Sequence, residues 1–140
     1  MPTLTPPPSG VVDALAWVHV RDRRLLAVRA REHALFYLPG GKREPGESDA
    51  AAVAREAREE LGVVLRPATI TPFQVVDAPA HGYPEGTRVR LACFTADHDG
   101  EPAMAGEIVE TAWLGWADRD RCAPALHPVL DRLRERGLID

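Results

Sequence analysis

Three glutamates, Glu56, Glu59 and Glu60, follow a glycine-rich segment at a spacing that suits metal-dependent chemistry. On a helix they cover an arc of about 100° beside an apolar stripe. Carboxylates on adjacent turns repel each other unless a cation lies between them, and oxygen ligands of this kind are what Mg²⁺ binds. The cluster therefore predicts a divalent-cation site. Taken alone, it would also suit a solvated helix face on which Arg55 and Arg58 pair with the glutamates.

A helix over 49–61 is predicted to carry these glutamates. Ser48 or Asp49 is a good N-cap residue, and the three alanines at 50–52 favour helix. Gly62 suits the position just after the helix, where a positive φ costs glycine little. One side of the helix is apolar and should pack on a sheet; its members are Ala50, Val53, Ala57 and Leu61.

The segment from Gly41 to Val63 resembles the signature box of the Nudix hydrolase family. The pattern is Gly-x5-Glu-x7-Arg-Glu-U-x-Glu-Glu-x-Gly-U, where U is aliphatic, and Ala57 and Val63 occupy the two U positions. All seven fixed positions match: Gly41, Glu47, Arg55, Glu56, Glu59, Glu60 and Gly62. Seven matches at set spacing make chance improbable. The resemblance implies an α/β fold, a Nudix-type α/β/α sandwich with a mixed β-sheet.

The resemblance also implies a role for each residue of the box. The expected metal ligands are the backbone carbonyl of Gly40 and the side chains of Glu56, Glu59 and Glu60. The expected supporting residues, which orient those ligands, are Gly41, Glu47 and Arg55. The metal would be Mg²⁺, with Mn²⁺ as an alternative.

The implied reaction is attack by water on one phosphorus of a nucleoside diphosphate linked to another group. The metal would withdraw charge from the phosphate oxygens and lower the pKa of bound water, and a carboxylate would accept the proton. Glu60, Glu59 and Glu107 are the catalytic candidates. Glu110 is a weaker one, since both later glutamates lie just before a predicted strand and could equally be surface charges.

Cations and aromatic rings are the candidate substrate contacts. Arg29, Arg31 and Lys42 could bind phosphate, because a net-acidic protein needs local cations for that purpose, although solvated cations are the alternative. His81 lies in a turn-rich loop where the family often encodes specificity. Several aromatic residues could stack on a base, although most should be core: Trp17, Phe36, Tyr37, Phe73, Trp113 and Trp116.

Length and composition limit the remaining possibilities. The chain has 140 residues, a net charge of −4 and 45% hydrophobic residues, so we expect a flexible proline-rich tail over 1–9 and a single domain over 10–140. The acidic balance argues against a nucleic-acid polymer as partner, and no apolar run predicts a membrane span. Without a visible secretory signal the expected location is cytoplasmic. Cys93 and Cys122 should be ordinary thiols, although a disulfide bond between them is left open. A homodimer is also left open.

Further strands and a second helix are expected around the box. We predict a β-hairpin over 11–31 with its turn near residues 22–24, and a C-terminal helix over 128–136 closed by Gly137. Other strands are expected at 35–38, around 73–76, and at 87–96 and 111–116, with a turn at 97–100.

The preferred substrate is an ordinary or oxidised (deoxy)nucleoside triphosphate. An ADP-ribose or nucleotide-sugar diphosphate is the alternative, and Pro79, near a position used to suggest ADP-ribose substrates, gives it faint support. Two other classes are a nucleotide sensor without turnover, which would usually lack box glutamates, and a prenyl-diphosphate isomerase, which would need a cysteine in the site.

Overall fold

Residues 4–140 are described by the computed structural model of the protein, and within them two helices cover opposite faces of a β-layer. The helices are α1 (Asp49–Leu61) and α2 (His127–Glu135). The strands are β1 (Val11–Trp17), β2 (Val20–Arg21), β3 (Arg24–Ala30), β4 (Gly40–Lys42), β5 (Val64–Leu65), β6 (Thr71–Pro79), β7 (Arg88–Thr95), β8 (His98–Asp99) and β9 (Ile108–Leu114). Short 3-10 turns are Pro67–Thr69, Trp116–Arg121 and Pro124–Leu126.

The larger sheet is mixed, as predicted. Its strand order is β4-β1-β7-β6, in which β1 runs antiparallel to β4 and parallel to β7. A second sheet, β2-β3-β9, is antiparallel throughout, and β5 pairs with β8. In the central strand β1, Leu15 and Trp17 pack in the core that contains α1, whereas Ala16 packs in the core that contains α2. This alternation makes the α/β/α sandwich.

The predicted hairpin over 11–31 is wrong in its strand partners. Within this segment only β2 and β3 form a hairpin, while β1 belongs to the larger sheet. The tight turn between β2 and β3 places Asp22 and Arg23 at positive φ, 52° and 62°, the conformation of a type I′ turn. Glycine is the usual signal for such a turn, so its absence from the sequence hid the correct pairing.

The boundaries and both caps of α1 are confirmed. The side chain of Ser48 accepts a hydrogen bond from the Ala51 N–H at 3.1 Å, and Gly62 ends the helix at φ 69°. The buried face consists of Ala52, Val53, Ala57 and Leu61, so Ala52 takes the place predicted for Ala50. Burial of this face fixes the rotation of α1 and therefore the direction of its glutamates.

The other elements match the predictions in part. The C-terminal helix is confirmed, with Gly137 at φ 70°. Segment 35–38 makes isolated bridges to Val28 and Cys122 in place of a strand. The turn at 97–100 contains β8. β9 begins at Ile108, which places Glu110 inside that strand and not before it. Within residues 4–140 no helix is long and apolar enough to cross a membrane.

Candidate active site

A cleft of about 380 Å³ receives side chains from both predicted and unpredicted parts of the chain. Three carboxylates line it, Glu56, Glu60 and Glu107, and are called here the acidic wall. Four rings also line it, His33, Tyr37, His81 and Tyr83, and are called the aromatic wall. Box residues Gly40, Gly41 and Lys42 lie in the same lining.

Glu60 is the most perturbed carboxylate of the acidic wall. Burial raises its pKa to about 8, and the charges of Glu56, Glu59 and Glu107 raise it further, against a hydrogen bond from the backbone. That bond runs from the Gly40 N–H to Oε1 of Glu60 at 2.6 Å. A carboxyl with this pKa can both hold and release a proton near neutral pH.

Glu56 lies against the glycines of the box. Its side chain is 13% exposed, and burial raises its pKa despite the neighbouring Arg55. A Cβ at Gly41 would come within 2.6 Å of the Glu56 carboxylate, and one at Gly40 would lie 2.1 Å from the backbone oxygen of Leu15. Side chains at these two positions would therefore displace the carboxylate or separate β4 from β1.

Arg55 holds the loop and the helix together. Its guanidinium donates to both carboxylate oxygens of Glu47, at 2.7 and 2.9 Å, and to the Lys42 carbonyl at 3.1 Å. The same group reaches Glu56 at 2.9 Å and Glu59 at 3.3 Å. Hydrogen bonding to Arg55 lowers the pKa of Glu47 to about 2. Glu47 and Arg55 thus join the loop to the helix, and their supporting role at the site stays a prediction.

Glu107 reaches the acidic wall because its loop docks on the end of α1. The Ala105 N–H donates to the Glu60 carbonyl and the Ala103 N–H to the Leu61 carbonyl, both at 3.0 Å. These bonds satisfy two carbonyls that the helix terminus leaves without intrahelical partners. Gly106, at φ 57°, passes so close that a Cβ there would lie 3.0 Å from the Glu59 carbonyl. The docking brings a distant glutamate beside the box.

Three of the predicted site residues lie elsewhere. Among residues 4–140, the cleft lining includes Lys42 but not Glu59, Arg29 or Arg31. The side chain of Glu59 is 54% exposed and turns toward Arg55. Arg29 donates to Glu110 at 2.8 Å and to the His33 carbonyl at 3.0 Å. Arg31 is exposed. Ion pairing along β3 and β9 thus engages the arginine that the sequence suggested for phosphate.

The donor set fits a hard divalent cation through two carboxylates. Glu56 and Glu60 are both shielded from water, both have raised pKa values, and both face one cleft beside a glycine whose missing Cβ leaves the space open. Neighbouring carboxylates that share a cleft are stabilised by a cation with oxygen preference. Across residues 4–140, no three acidic, histidine or cysteine side chains lie close enough to hold a metal together. Glu59 would have to leave Arg55 to become a third ligand.

The aromatic wall is tied together by one hydrogen bond and several ring contacts. The Tyr37 hydroxyl is hydrogen-bonded to Nδ1 of His81. The ring centroid of His33 lies 5.1 Å from that of Tyr37 and 6.2 Å from that of His81. Nζ of Lys42 lies 5.9 Å from the centre of the Tyr83 ring. Burial raises the pKa of Tyr37 to about 12, so its hydroxyl keeps its proton at neutral pH.

The sequence predicts two of the four residues of the aromatic wall. Tyr37 and His81 are candidate substrate contacts from the sequence, whereas His33 and Tyr83 are not. The position of Tyr83 in the same turn-rich loop as His81 was a usable signal. The other aromatic candidates belong to the cores: Trp17 and Phe36 are buried, and Phe73, Trp113 and Trp116 pack against them.

The two cysteines lie outside the cleft. Cys93 and Cys122 are buried free thiols, as expected from the sequence. Burial raises the pKa of Cys93 to about 12 and that of Cys122 to about 11. Neither thiol lines the cleft, so the cysteine that the isomerase alternative requires is missing from the lining formed by residues 4–140.

Comparison with known proteins agrees with this geometry. The NUDIX domain matches residues 10–133, and the chain belongs to the Nudix hydrolase family, whose members are pyrophosphohydrolases that generally use a divalent metal. A putative ADP-ribose pyrophosphatase, YjhB, of Bacillus subtilis is 31% identical over 108 residues, which are 74% of this chain and 49% of that protein. The chain thus spans about half the length of that relative. A MutT-like protein of Streptomyces ambofaciens is 41% identical over 112 residues, 79% of this chain and 67% of its own.

Solved structures share the fold over nearly the whole chain. The E. coli ORF135 protein has a TM-score of 0.70 and 26% identity, covering 90% of this chain and 92% of its own. A MutT NUDIX hydrolase from Burkholderia pseudomallei has a TM-score of 0.68 and 28% identity, covering 89% and 96%.

Proposed function

We propose that the protein hydrolyses a pyrophosphate bond in a nucleoside diphosphate linked to another moiety, with Mg²⁺ or Mn²⁺ as cofactor. The observation that carries this proposal is the acidic wall. Two partly buried box carboxylates, Glu56 and Glu60, share a cleft with Glu107 and with the cation Lys42. Buried carboxylates that repel one another suit a site whose ligand brings positive charge.

The cation would be held by Glu56 and Glu60, with the Gly40 carbonyl and Glu59 as further ligands carried over from the family pattern. When bound, it supplies charge neutralisation at the phosphate oxygens and lowers the pKa of a coordinated water. Arg55 and Glu47 keep the loop and α1 in register, since both bond across the two segments. Lys42 is the phosphate contact supported by position, ahead of Arg29 and Arg31.

Glu60 is our first candidate for the group that accepts the proton from water. It lines the cleft, and the hydrogen bond from the Gly40 N–H fixes its carboxylate beside the proposed cation. Glu107 is the second candidate, because its loop is bonded to the carbonyl of Glu60 itself. Glu59 is the third.

The proposed substrate is a (deoxy)nucleoside triphosphate, ordinary or oxidised. The MutT-like name of the Streptomyces relative supports this choice, whereas the name of the Bacillus relative supports ADP-ribose. A sensor that binds without turnover is a less supported alternative, since every fixed box position is present. The two buried free thiols favour a reducing compartment such as the cytoplasm.

A product-resolved substrate panel tests the proposal. The wild type is incubated with the four deoxynucleoside triphosphates, an oxidised guanine triphosphate, ADP-ribose and a nucleotide sugar, with Mg²⁺ or Mn²⁺. Chromatography separates the outcomes, because a triphosphate yields a monophosphate and pyrophosphate, whereas ADP-ribose yields AMP and ribose 5-phosphate. Glu60→Gln is the control for contaminating hydrolases. Binding of nucleotide without product from any substrate would support the sensor instead.

A further inference from the structure

One arginine of the box segment is not part of its signature. Arg43 lies between Gly41 and Glu47, at a position that the signature leaves free. Its side chain is only 22% exposed, although it belongs to a loop. The guanidinium donates to the Asp13 carboxylate at 3.0 Å, to the Glu47 carbonyl at 3.0 Å and to the Asp49 carboxylate. These three acceptors belong to β1, to the end of the loop and to the first residue of α1.

The backbone of Arg43 meets the same strand as its side chain. In the register of β1 against β4, the last pair is Ala14 with Lys42. The Arg43 N–H then donates to the Asp13 carbonyl at 3.1 Å. Asp13 therefore accepts from Arg43 twice, once through its backbone and once through its side chain. Because β1 pairs with both β4 and β7, it forms the fixed side of this contact.

Glu47 is held by two arginines at different atoms. Arg43 binds its carbonyl oxygen, whereas Arg55 binds both oxygens of its carboxylate. Within the loop, the Glu47 N–H donates to the Glu44 carbonyl at 3.1 Å, and the Glu44 N–H donates to Oε1 of Glu47 at 2.8 Å. Arg43 therefore connects β1 to the group of hydrogen bonds through which Arg55 reaches Glu56.

An ordinary surface ion pair is the alternative for Arg43. Asp13 and Asp49 are 52% and 54% exposed, and exposed ion pairs contribute little to stability. Arg43 differs from such a pair because it is mostly shielded and because its acceptors, one of them a neutral backbone carbonyl, lie on three segments. A planar guanidinium binds several acceptors in fixed directions, unlike an ammonium group. Since Arg43 does not belong to the cleft lining, its effect on the site must pass through the loop.

We propose that Arg43 is a positioning residue of the proposed metal site. It fixes the box loop to β1, and the loop holds Glu56 through Glu47 and Arg55. The Glu56 carboxylate lies close against β4, where a Cβ on Gly41 would come within 2.6 Å of it. A shift of the loop would therefore change the position of this carboxylate beside the strand. The inference rests on the proposed function and extends it to a residue outside the signature.

The first experiment measures Mn²⁺ binding to the protein without nucleotide. Electron paramagnetic resonance counts free Mn²⁺ for the wild type, for Arg43→Gln and for the control Arg58→Gln, which removes the same charge from an exposed position of α1. Charge alone predicts tighter Mn²⁺ binding in both variants, since each loses a cation. Positioning predicts weaker binding in Arg43→Gln only, by roughly tenfold. An Arg43→Gln variant that binds Mn²⁺ as tightly as the wild type, or more tightly, would overturn the proposal.

Two further variants separate the bridging geometry from the charge. Arg43→Lys keeps the positive charge but cannot reach all three acceptors in one plane, so its Mn²⁺ affinity should stay at least about threefold below that of the wild type. Asp13→Ala combined with Arg43→Gln should lower the affinity no further than Arg43→Gln alone, because both changes break one connection to β1. Full affinity in Arg43→Lys, or additive losses in the double variant, would contradict the bridging role.

Amide hydrogen exchange tests the loop in the metal-free protein. The N–H groups of Glu44 and Glu47 are both hydrogen-bonded within the loop. Arg43→Gln should increase their exchange rates roughly tenfold and leave the amides of α2 unchanged. Unchanged exchange at Glu44 and Glu47 would overturn the proposal, because the loop would then be fixed without Arg43.

These measurements are separate from hydrolysis. Mn²⁺ binding that depends on Arg43, without cleavage of any substrate, would leave the positioning role standing and overturn the hydrolase. Cleavage by a protein whose Mn²⁺ binding does not depend on Arg43 would leave the hydrolase standing and overturn the positioning role.

Discussion

The two walls of the cleft are built in opposite ways. Two of the three carboxylates of the acidic wall, Glu56 and Glu60, lie on α1 beside Gly40 and Gly41 of β4, so they come from one continuous segment. The aromatic wall is assembled from segments that meet only in the folded protein, and Leu4 covers part of it. In the first, Arg55 holds Glu56 and the Gly40 N–H holds Glu60, whereas the second is held by one side-chain bond, a few backbone bonds and ring contacts.

The difference indicates which wall tolerates change. Side chains at Gly40 or Gly41 would meet atoms within 2.1–2.6 Å, so the acidic wall has no room for substitution there. His81 is exposed and lies in a loop, where replacement disturbs little packing. We therefore expect changes in the acidic wall to abolish chemistry, and changes in the aromatic wall to alter which nucleotide is used.

The largest effect is expected from Glu60→Gln. Loss of a metal-binding and proton-accepting carboxylate should lower kcat by at least roughly a hundredfold. The fold should persist, because the folded pKa of Glu60, about 8, exceeds the unfolded value. Its ionisation therefore lowers the free energy of unfolding of the metal-free protein as pH rises from about 4.5 to 8. Glutamine cannot ionise, so the variant does not lose that free energy. Glu135→Gln, which changes an exposed carboxylate of α2 outside the cleft, is the control in steady-state kinetics. Near-normal kcat in Glu60→Gln would mean that the reacting centre lies elsewhere.

The next effect is on stability, through Arg55→Ala. Removing the guanidinium leaves Glu47 and Glu56 without their cation, and should lower the free energy of unfolding at pH 7, seen as a lower midpoint of urea denaturation. The pKa of Glu47 in the folded protein is lowered to about 2. The contribution of its ionised carboxylate to the free energy of unfolding is therefore complete above the unfolded pKa and is lost as pH falls toward 2. Urea denaturation of both proteins at pH 7 and pH 3 should show the difference shrinking in acid. A constant difference would indicate that Arg55 acts through packing.

Gly106→Ala should have an intermediate effect. A methyl group 3.0 Å from the Glu59 carbonyl, at a positive φ, should shift the loop and move Glu107 out of the acidic wall. We expect kcat to fall roughly tenfold, with the pH–rate profile changed as in Glu107→Gln. The matched control is Gly100→Ala, which has a positive φ but whose nearest neighbour would be at 3.8 Å. Equal losses in the two alanine variants would assign the effect to backbone strain alone.

The smallest effect is expected from Leu4→Ala. The backbone bond to Gly82 survives this change, and only the side chain at the rim of the aromatic wall is shortened. KM for the preferred nucleotide should rise by less than about threefold while kcat is unchanged, because the contact is remote from the reacting atoms. A fall in kcat would place Leu4 nearer to the chemistry than the cleft lining indicates.

The sequence was sufficient to predict the directions of Glu56 and Glu60 because their determinants are local. Helix caps at Ser48 and Gly62 fixed the ends of α1, and the apolar positions fixed its rotation, so the directions of Glu56 and Glu60 followed. The position of Arg29 was not predictable in this way. Its pairing with Glu110 depends on the register of β3 against β9, and a register is decided by the whole sheet.

Non-local pairing also explains the other differences from prediction. β1 and β3 looked like a hairpin because both are apolar and close in sequence, yet the turn at Asp22 and Arg23 joins β2 to β3. The docking of Gly106 on α1 has no periodic signal, since it depends on one glycine meeting one helix terminus. His33 lines the cleft from the segment between β3 and Tyr37, which the Tyr37–Val28 bridge turns back onto β3.

The parallel pairing of β1 with β7 has a consequence for how the molecule is made. β4 and α1 follow β1 closely in the chain and can associate with it early, whereas β7 is synthesised well after the box is complete. Contacts between distant segments form slowly because a long loop must first be closed. The nascent chain therefore carries every box residue before Val89 and Leu91 of β7 complete the cleft lining, and we expect catalytic competence only when the later half of the protein is in place.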